Sequence, residues 1–446
     1  MSDAQSPSLE PLLTQLHTLD LRQLPAVAQR ARLLVLDTLA CTVAGLARPE
    51  PAGLAGQLAN FAPGNFVWPG STAGLSPAEA AYVGTMAACW DEACEGLAAA
   101  HGRPGLHSVA VALVLAATLR RSLGEALAAV VSAYEVGSRF GMSMTIREGM
   151  HVDGTWGLMS ATMAACSLLR AQPDTTAAAL AAAACQMPSS LYAAVTAGCT
   201  VRNSYAARAA AAGIHIAASA VAGISAPQRA FGECDRLVMS NTAGDWEAFA
   251  ELDRYHLLDG YLKPYAGVRH VHYAAACAIQ WWEQHGEAAA ADIDSVTLTI
   301  YAEAVTYCGN RAPDTPIQAQ FSLTHGTAYA LRKGGLGPDA YAPATLRNPG
   351  QRALERKIHV VAAPTMQSRA AGLAVQAKGE TRLYSVERVL GDPEIPMQRA
   401  AVEAKSLQFM QVAIGASAAR EWIDFVLDAD PETGMERFLP DSRRPP

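Results

Sequence analysis

Lysine is missing from the first 262 residues, and only five occur in the whole 446-residue chain: Lys263, Lys333, Lys357, Lys378 and Lys405. Charge of any kind is sparse at 17%. With 34 Lys+Arg against 41 Asp+Glu the net charge is −7. No basic excess exists to neutralise a phosphate backbone, so nucleic acid is excluded as a partner and any anionic ligand must rely on local cations. No apolar run is long enough to span a bilayer. The longest, Val109 to Leu119, stops at Arg120-Arg121 and reads as a buried helix, so no membrane partner is expected. The nine cysteines are odd in number and dispersed, which does not suit a disulfide framework and fits reduced thiols in the cytoplasm. The first 19 residues carry Asp3 and Glu10 and no basic leader, so no signal peptide is expected. Phosphate-binding, dinucleotide-binding, serine-elbow and HExxH signatures are all absent. Cys89 and Cys94 have a plant-type iron–sulfur gap, but the next ligand position holds Leu97, and no CxxC pair offers a zinc site, so no metal is expected.

What is there is apolar and alanine-rich. Hydrophobic residues make up 51% and aromatics 7%. From Leu9 to about residue 260, stretches rich in Ala, Leu, Met and Val are broken by Gly and Pro, which predicts helix after helix. The clearest are Pro25–Leu46, Pro77–Asp91, His107–Leu119, Gly124–Met144, Thr155–Leu169, Thr175–Gln186 and Ala206–Ala222. After Tyr273–His285 the text changes: Ser295–Tyr301 and Arg356–Ala362 alternate and are β-branched, and Ala371–Ala377 with Arg382–Val386 predicts a hairpin about Lys378-Gly379. Gln398–Gln411 and Ala416–Leu427 return to helix, and a Pro-rich tail over 440–446 should be loosely held. The expected fold is mainly α: an all-helical domain from 1–265 and 395–446, with a smaller α+β lid domain over 266–394.

Polar residues that interrupt such text cost free energy unless paired or used. Five interruptions stand out. Trp90 to Gly96 holds Asp91, Glu92 and Glu95 and is followed by His101, Arg103 and His107, a set able to supply a general acid and a general base. Met150 to Gly157 places His151 beside a predicted helix start, where the positive helix end lowers an imidazole's pKa and accepts a carboxylate. Thr200 to Tyr205 puts Arg202 before an Ala-rich helix, where it could grip a carboxylate with two parallel bonds. Lys263 to His272 gathers the chain's first lysine, Arg269, His270 and His272, and clustered cations in a net-acidic protein suit an anionic substrate. Gln320 to His325 ends on a histidine ahead of a predicted helix, Ala328–Arg332. The plainer readings are capping acids, packing histidines and surface ion pairs.

The order Asp91…His107, His151-x-x-Gly-Thr, Arg202, Lys263-Pro-Tyr…Arg269…His272 and Ala319-Gln-Phe-Ser-Leu-x-His resembles the MmgE/PrpD family across roughly residues 20–425. That family includes 2-methylcitrate dehydratase, cis-aconitate decarboxylase and iminodisuccinate epimerase. The resemblance implies a homodimer that needs no cofactor and acts on a small di- or tricarboxylate. It implies Lys263, His107, His151, Asp91 and His325 as catalytic residues, with Arg202, Arg269, His272, Tyr205 and Glu95 at the substrate and Asp91 orienting a histidine. Many relatives carry Asp-Phe-Asp-Asp-Thr where this chain reads Asp91-Glu-Ala-Cys-Glu95, and Arg202 stands where relatives have lysine. A family histidine falls at Val268 and a family tyrosine at His325. Epimerisation needs only two proton carriers on opposite faces, whereas elimination also needs an acid aimed at a leaving group. The departures therefore lean toward an epimerase, most similar to iminodisuccinate epimerase. A lyase and a catalytically silent carboxylate binder are the alternatives.

Overall fold

A computed structural model describes residues 6–240, 245–366 and 369–440. Of the Pro-rich tail, residues 441–446 lie outside the described residues. The first part of the chain builds α1 (Pro25–Leu46), α2 (Pro77–Cys89), α3 (Pro104–Thr118), α4 (Leu123–Ser143), α5 (Gly157–Leu168), α6 (Pro173–Cys185) and α7 (Ser204–Val221). α1, α2, α3 and α6 each open on proline, whose missing N–H costs nothing in a first turn. α4 opens on a reciprocal cap between Ser122 and Glu125. α5 is buried nearly all round because α3, α4 and α7 pack on it. Small residues permit that closeness: a Cβ on Gly213 would lie 2.7 Å from the Ala161 carbonyl carbon.

The next part builds α8 (Arg269–His285), β1 (Ile293–Tyr301), α9 (Leu323–Lys333), β2 (Ile358–Ala363), β3 (Ala371–Ala377) and β4 (Glu380–Val386). The four strands run in the order β2-β1-β3-β4. β1 and β2 are parallel, with Val296 opposite Ile358, and β1 and β3 are antiparallel, with Leu298 opposite Leu373. Lys378 and Gly379 turn the β3–β4 hairpin with φ of 51° and 78°, the left-handed pair that a tight hairpin requires. α8 covers this sheet and also packs on α9.

The last two helices, α10 (Arg399–Ile414) and α11 (Ala416–Asp428), pack on α1. Their contact includes a buried ion pair. Lys405 Nζ lies 2.6 Å from Asp37 Oδ1 of α1 and donates to the Ala93 carbonyl at 2.7 Å, pinning α10 to the loop after α2. The chain belongs to the mainly-α class, with a smaller α+β part. Among the described residues no helix is long and apolar enough to cross a membrane.

Two helix starts differ from the sequence reading, and both matter for the site. α3 begins at Pro104, not His107, because proline pre-sets the first turn; His107 is therefore inside the helix. α9 begins at Leu323, not Ala328, because Ser322 Oγ accepts the His325 N–H and caps the turn, so His325 is helical too.

Candidate active site

Four of the polar interruptions converge on one cavity of about 470 Å³. Its charged part is built around two buried carboxylates. Glu92 follows the end of α2 with a left-handed φ of 51°. Its carboxylate lies 3.1 Å from Arg103, 2.5 Å from Arg202 and 3.0 Å from Lys263. Lys263 Nζ also donates to the Glu92 carbonyl at 2.8 Å. Asp153 pairs with Arg103 and lies 3.4 Å from Arg202. Burial alone would raise both carboxyl groups, but the surrounding cations outweigh it and hold Glu92 and Asp153 well below the usual carboxylate range. They supply fixed charge and cannot hand over a proton.

His151 belongs to a turn that Gly154 completes with φ +85°; a Cβ there would lie 2.5 Å from the Tyr205 carbonyl oxygen. Its Nδ1 accepts the Asp153 N–H at 3.0 Å. A backbone N–H can only donate, so the neutral ring carries its proton on Nε2, which no protein group takes up. Burial pushes the imidazole down to about 4, against the pull of Asp153, so His151 is a neutral donor. Tyr192 stacks on it with ring centres 5.8 Å apart, and the Tyr192 hydroxyl has no partner among the described residues.

His270 stands at the start of α8 and lines the same cavity. Its Nδ1 lies 2.6 Å from the Tyr301 hydroxyl of β1, and its ring stacks on Tyr307. A hydroxyl can donate or accept, so Tyr301 tolerates either tautomer and the free Nε2 can be bare or protonated. Burial, then the charges of Arg369 and Lys263, push this imidazole down to about 3.

Lys263, His151, Arg202 and Arg269 thus line one cavity. The Arg269 guanidinium is committed elsewhere, however: it pairs with Asp392 at 2.5 Å and donates to the carbonyls of Val389 and Leu390. The other residues singled out from the sequence do not line the cavity, and each is satisfied internally. His107 donates from Nδ1 to the Arg103 carbonyl at 2.8 Å and accepts the Gly154 N–H on Nε2 at 3.1 Å, so both ring nitrogens are spent holding the His151 turn. Asp91 pairs with Arg48 at 3.2 Å and orients no histidine. Its loop instead meets α8 through the Gly267 N–H, which donates to the Asp91 carbonyl. Glu95 accepts the Leu106 N–H at 3.1 Å inside the first turn of α3, and burial raises its carboxyl to about 7. His272 donates to the Gly267 carbonyl at 3.1 Å and accepts from Arg269. His325 is spent between Glu355 at 2.7 Å and the Ala340 carbonyl at 2.8 Å. Tyr205 donates to the Leu191 carbonyl and packs its ring beside His151.

Glu92, Arg103, Asp153 and His270 sat in the segments already marked as unusual, but nothing in their spacing told them apart from their neighbours. His270 and His272 are two residues apart at a helix start and so point to different sides, one to the cavity and one to the interior. Arg369, on the β2–β3 connection, also lines the cavity and carried no sequence signal.

Comparison with protein families gives two consecutive matches, the MmgE/PrpD N-terminal domain over residues 11–245 and the MmgE/PrpD C-terminal domain over residues 265–430. No curated protein matches the chain. Since these two regions together span most of its length in order, the chain belongs to the MmgE/PrpD family, whose members are enzymes of the dehydratase, lyase and epimerase type.

Proposed function

We propose that the protein is an epimerase that removes and returns the proton beside a carboxylate of a small polycarboxylate, with iminodisuccinate, two succinate units joined through nitrogen, the best candidate. One observation supports this most: Arg103, Arg202 and Lys263 share a single cavity with two imidazoles that each offer only Nε2. Taking a proton from carbon beside a carboxylate throws negative charge onto that carboxylate, and preorganised cations in a dry cavity stabilise it. His151, fixed as an Nε2–H donor, contributes a hydrogen bond to the same developing charge. His270 takes the proton on its bare Nε2, and the Lys263 ammonium returns one to the other face of the carbanion. One such turnover leaves His270 protonated and Lys263 neutral, the state that carries the reverse reaction, and proton exchange of both groups with water resets the site and brings solvent hydrogen to the carbon.

Epimerisation is favoured over elimination because Glu92 and Asp153 are held ionised and cannot protonate a leaving group. Two groups in the cavity could serve a lyase as that acid, the unpartnered Tyr192 hydroxyl and the Lys263 ammonium. The test is incubation with one enantiomer of iminodisuccinate in deuterated water. Deuterium should enter at the α-carbon as optical rotation is lost. Racemised product free of label, or an unsaturated acid absorbing in the ultraviolet, overturns the epimerase reading.

A further inference from the structure

Every cation at the cavity floor already has a carboxylate. Arg103 and Arg202 share Glu92 and Asp153, Lys263 holds Glu92, and Arg269 holds Asp392. Arg369 differs. It lines the same cavity and is half-buried, yet among the described residues it makes no hydrogen bond or ion pair. The charges felt there come from the hydroxyl groups of Tyr261, Tyr301 and Tyr273 and from the Glu303 carboxylate, with which it forms no ion pair. It enters from the β2–β3 connection, while Arg103 and Arg202 enter ahead of α3 and α7. A guanidinium removed from bulk water with its donors unspent costs free energy until an anion completes it. Its planar fork matches a carboxylate, which can take two parallel hydrogen bonds.

We infer that Arg369 is the seat for the substrate's second carboxylate, so that the cavity selects dicarboxylates over monocarboxylates. The first carboxylate, at which the proton is removed, lies by Arg103, Arg202 and Lys263, and the second closes against Arg369. This assignment rests on the carboxylate reading of the cavity but not on the reaction itself, because an unreactive ligand tests it.

The probes are succinate and butyrate, which share a four-carbon backbone and differ by one carboxylate. Binding to the full chain is measured by calorimetry for wild type, Arg369→Gln and Arg369→Lys at one fixed ionic strength. Wild type should prefer succinate by on the order of 10- to 100-fold, the range expected for charge-assisted bonds to a carboxylate. Arg369→Gln should remove that preference while leaving butyrate affinity unchanged, and Arg369→Lys should restore part of it. Among the described residues Arg369 makes no hydrogen bond or ion pair, so the melting temperature of each variant should match wild type. Equal affinity of wild type for the two probes, an undiminished preference in Arg369→Gln, or parallel loss of both ligands overturns the assignment. Succinate selectivity without deuterium exchange in the epimerase assay would refute the reaction and leave the seat standing.

Discussion

Replacing Glu92 with glutamine removes one of the two carboxylates shared by a buried cluster of three cations. Each contact, at 2.5–3.1 Å, is worth about 5–7 kcal/mol in gross attraction at an effective dielectric near 20. Against this stands a burial cost of several kcal/mol per ion. Removing one partner of such a set leaves buried charge uncompensated, so Glu92→Gln should lose about 3–5 kcal/mol of stability. Lys263→Met, which leaves Glu92 still held by two guanidiniums, should lose only about 1–3 kcal/mol. The double variant should fall short of the sum by about 1–3 kcal/mol, since the glutamine no longer needs the ammonium. Urea unfolding followed by far-UV circular dichroism reads these differences, provided the slope m stays constant across the series. A Glu92→Gln variant within about 1 kcal/mol of wild type, or strict additivity in the cycle, would refute the idea that this cluster acts as one unit.

Lys263→Ala should lower kcat by at least about 10²-fold, the usual loss when a preorganised charge at a developing anion is removed; activity near wild type would move the chemistry to another group. Relative to a His151→Phe/His270→Phe variant, wild type should lose stability as the medium is acidified from about pH 6.5 to about pH 4, a comparison in which the oppositely signed contribution of Glu95, raised to about 7, cancels. His151 and His256 stay neutral in the fold down to about 4 and His270 down to about 3, whereas unfolded histidine takes up its proton near 6.5, so the unfolded chain binds more protons across that window. Glu92 and Asp153, depressed in the fold, add stability above the ordinary carboxylate range and lose it further down. A wild-type urea midpoint that holds or gains on the variant's during acidification would contradict this sign.

Helices were legible because their starts are chemical events local to the chain: a proline at the first turn of α1 or α2, a serine–glutamate cap at α4. The hairpin was legible for the same reason, since Lys378-Gly379 separates two alternating runs. The site was legible only in part. His151, Arg202 and Lys263 stood out as polar breaks in apolar text, but so did Asp91, Glu95, His107, His272 and His325. What separates the two groups is whether a backbone carbonyl, an N–H or a distant side chain reaches them. Gly154 reaches His107 across 47 residues and Glu355 reaches His325 across 30, distances over which spacing carries no information. Arg369 is the opposite case, an ordinary loop arginine in the text that becomes unusual only because none of the described residues pairs with it.

The Lys405–Asp37 contact gives the order of synthesis a physical meaning. When a growing chain has left the ribosome only as far as residue 400, the four strands and every side chain lining the cavity have already been made, but Asp37 has no ammonium and the Ala93 carbonyl has no such donor. The stretch carrying Glu92 would then be untethered at its base. The loop that carries Glu92 into the cavity is thus anchored by one of the last helices to appear.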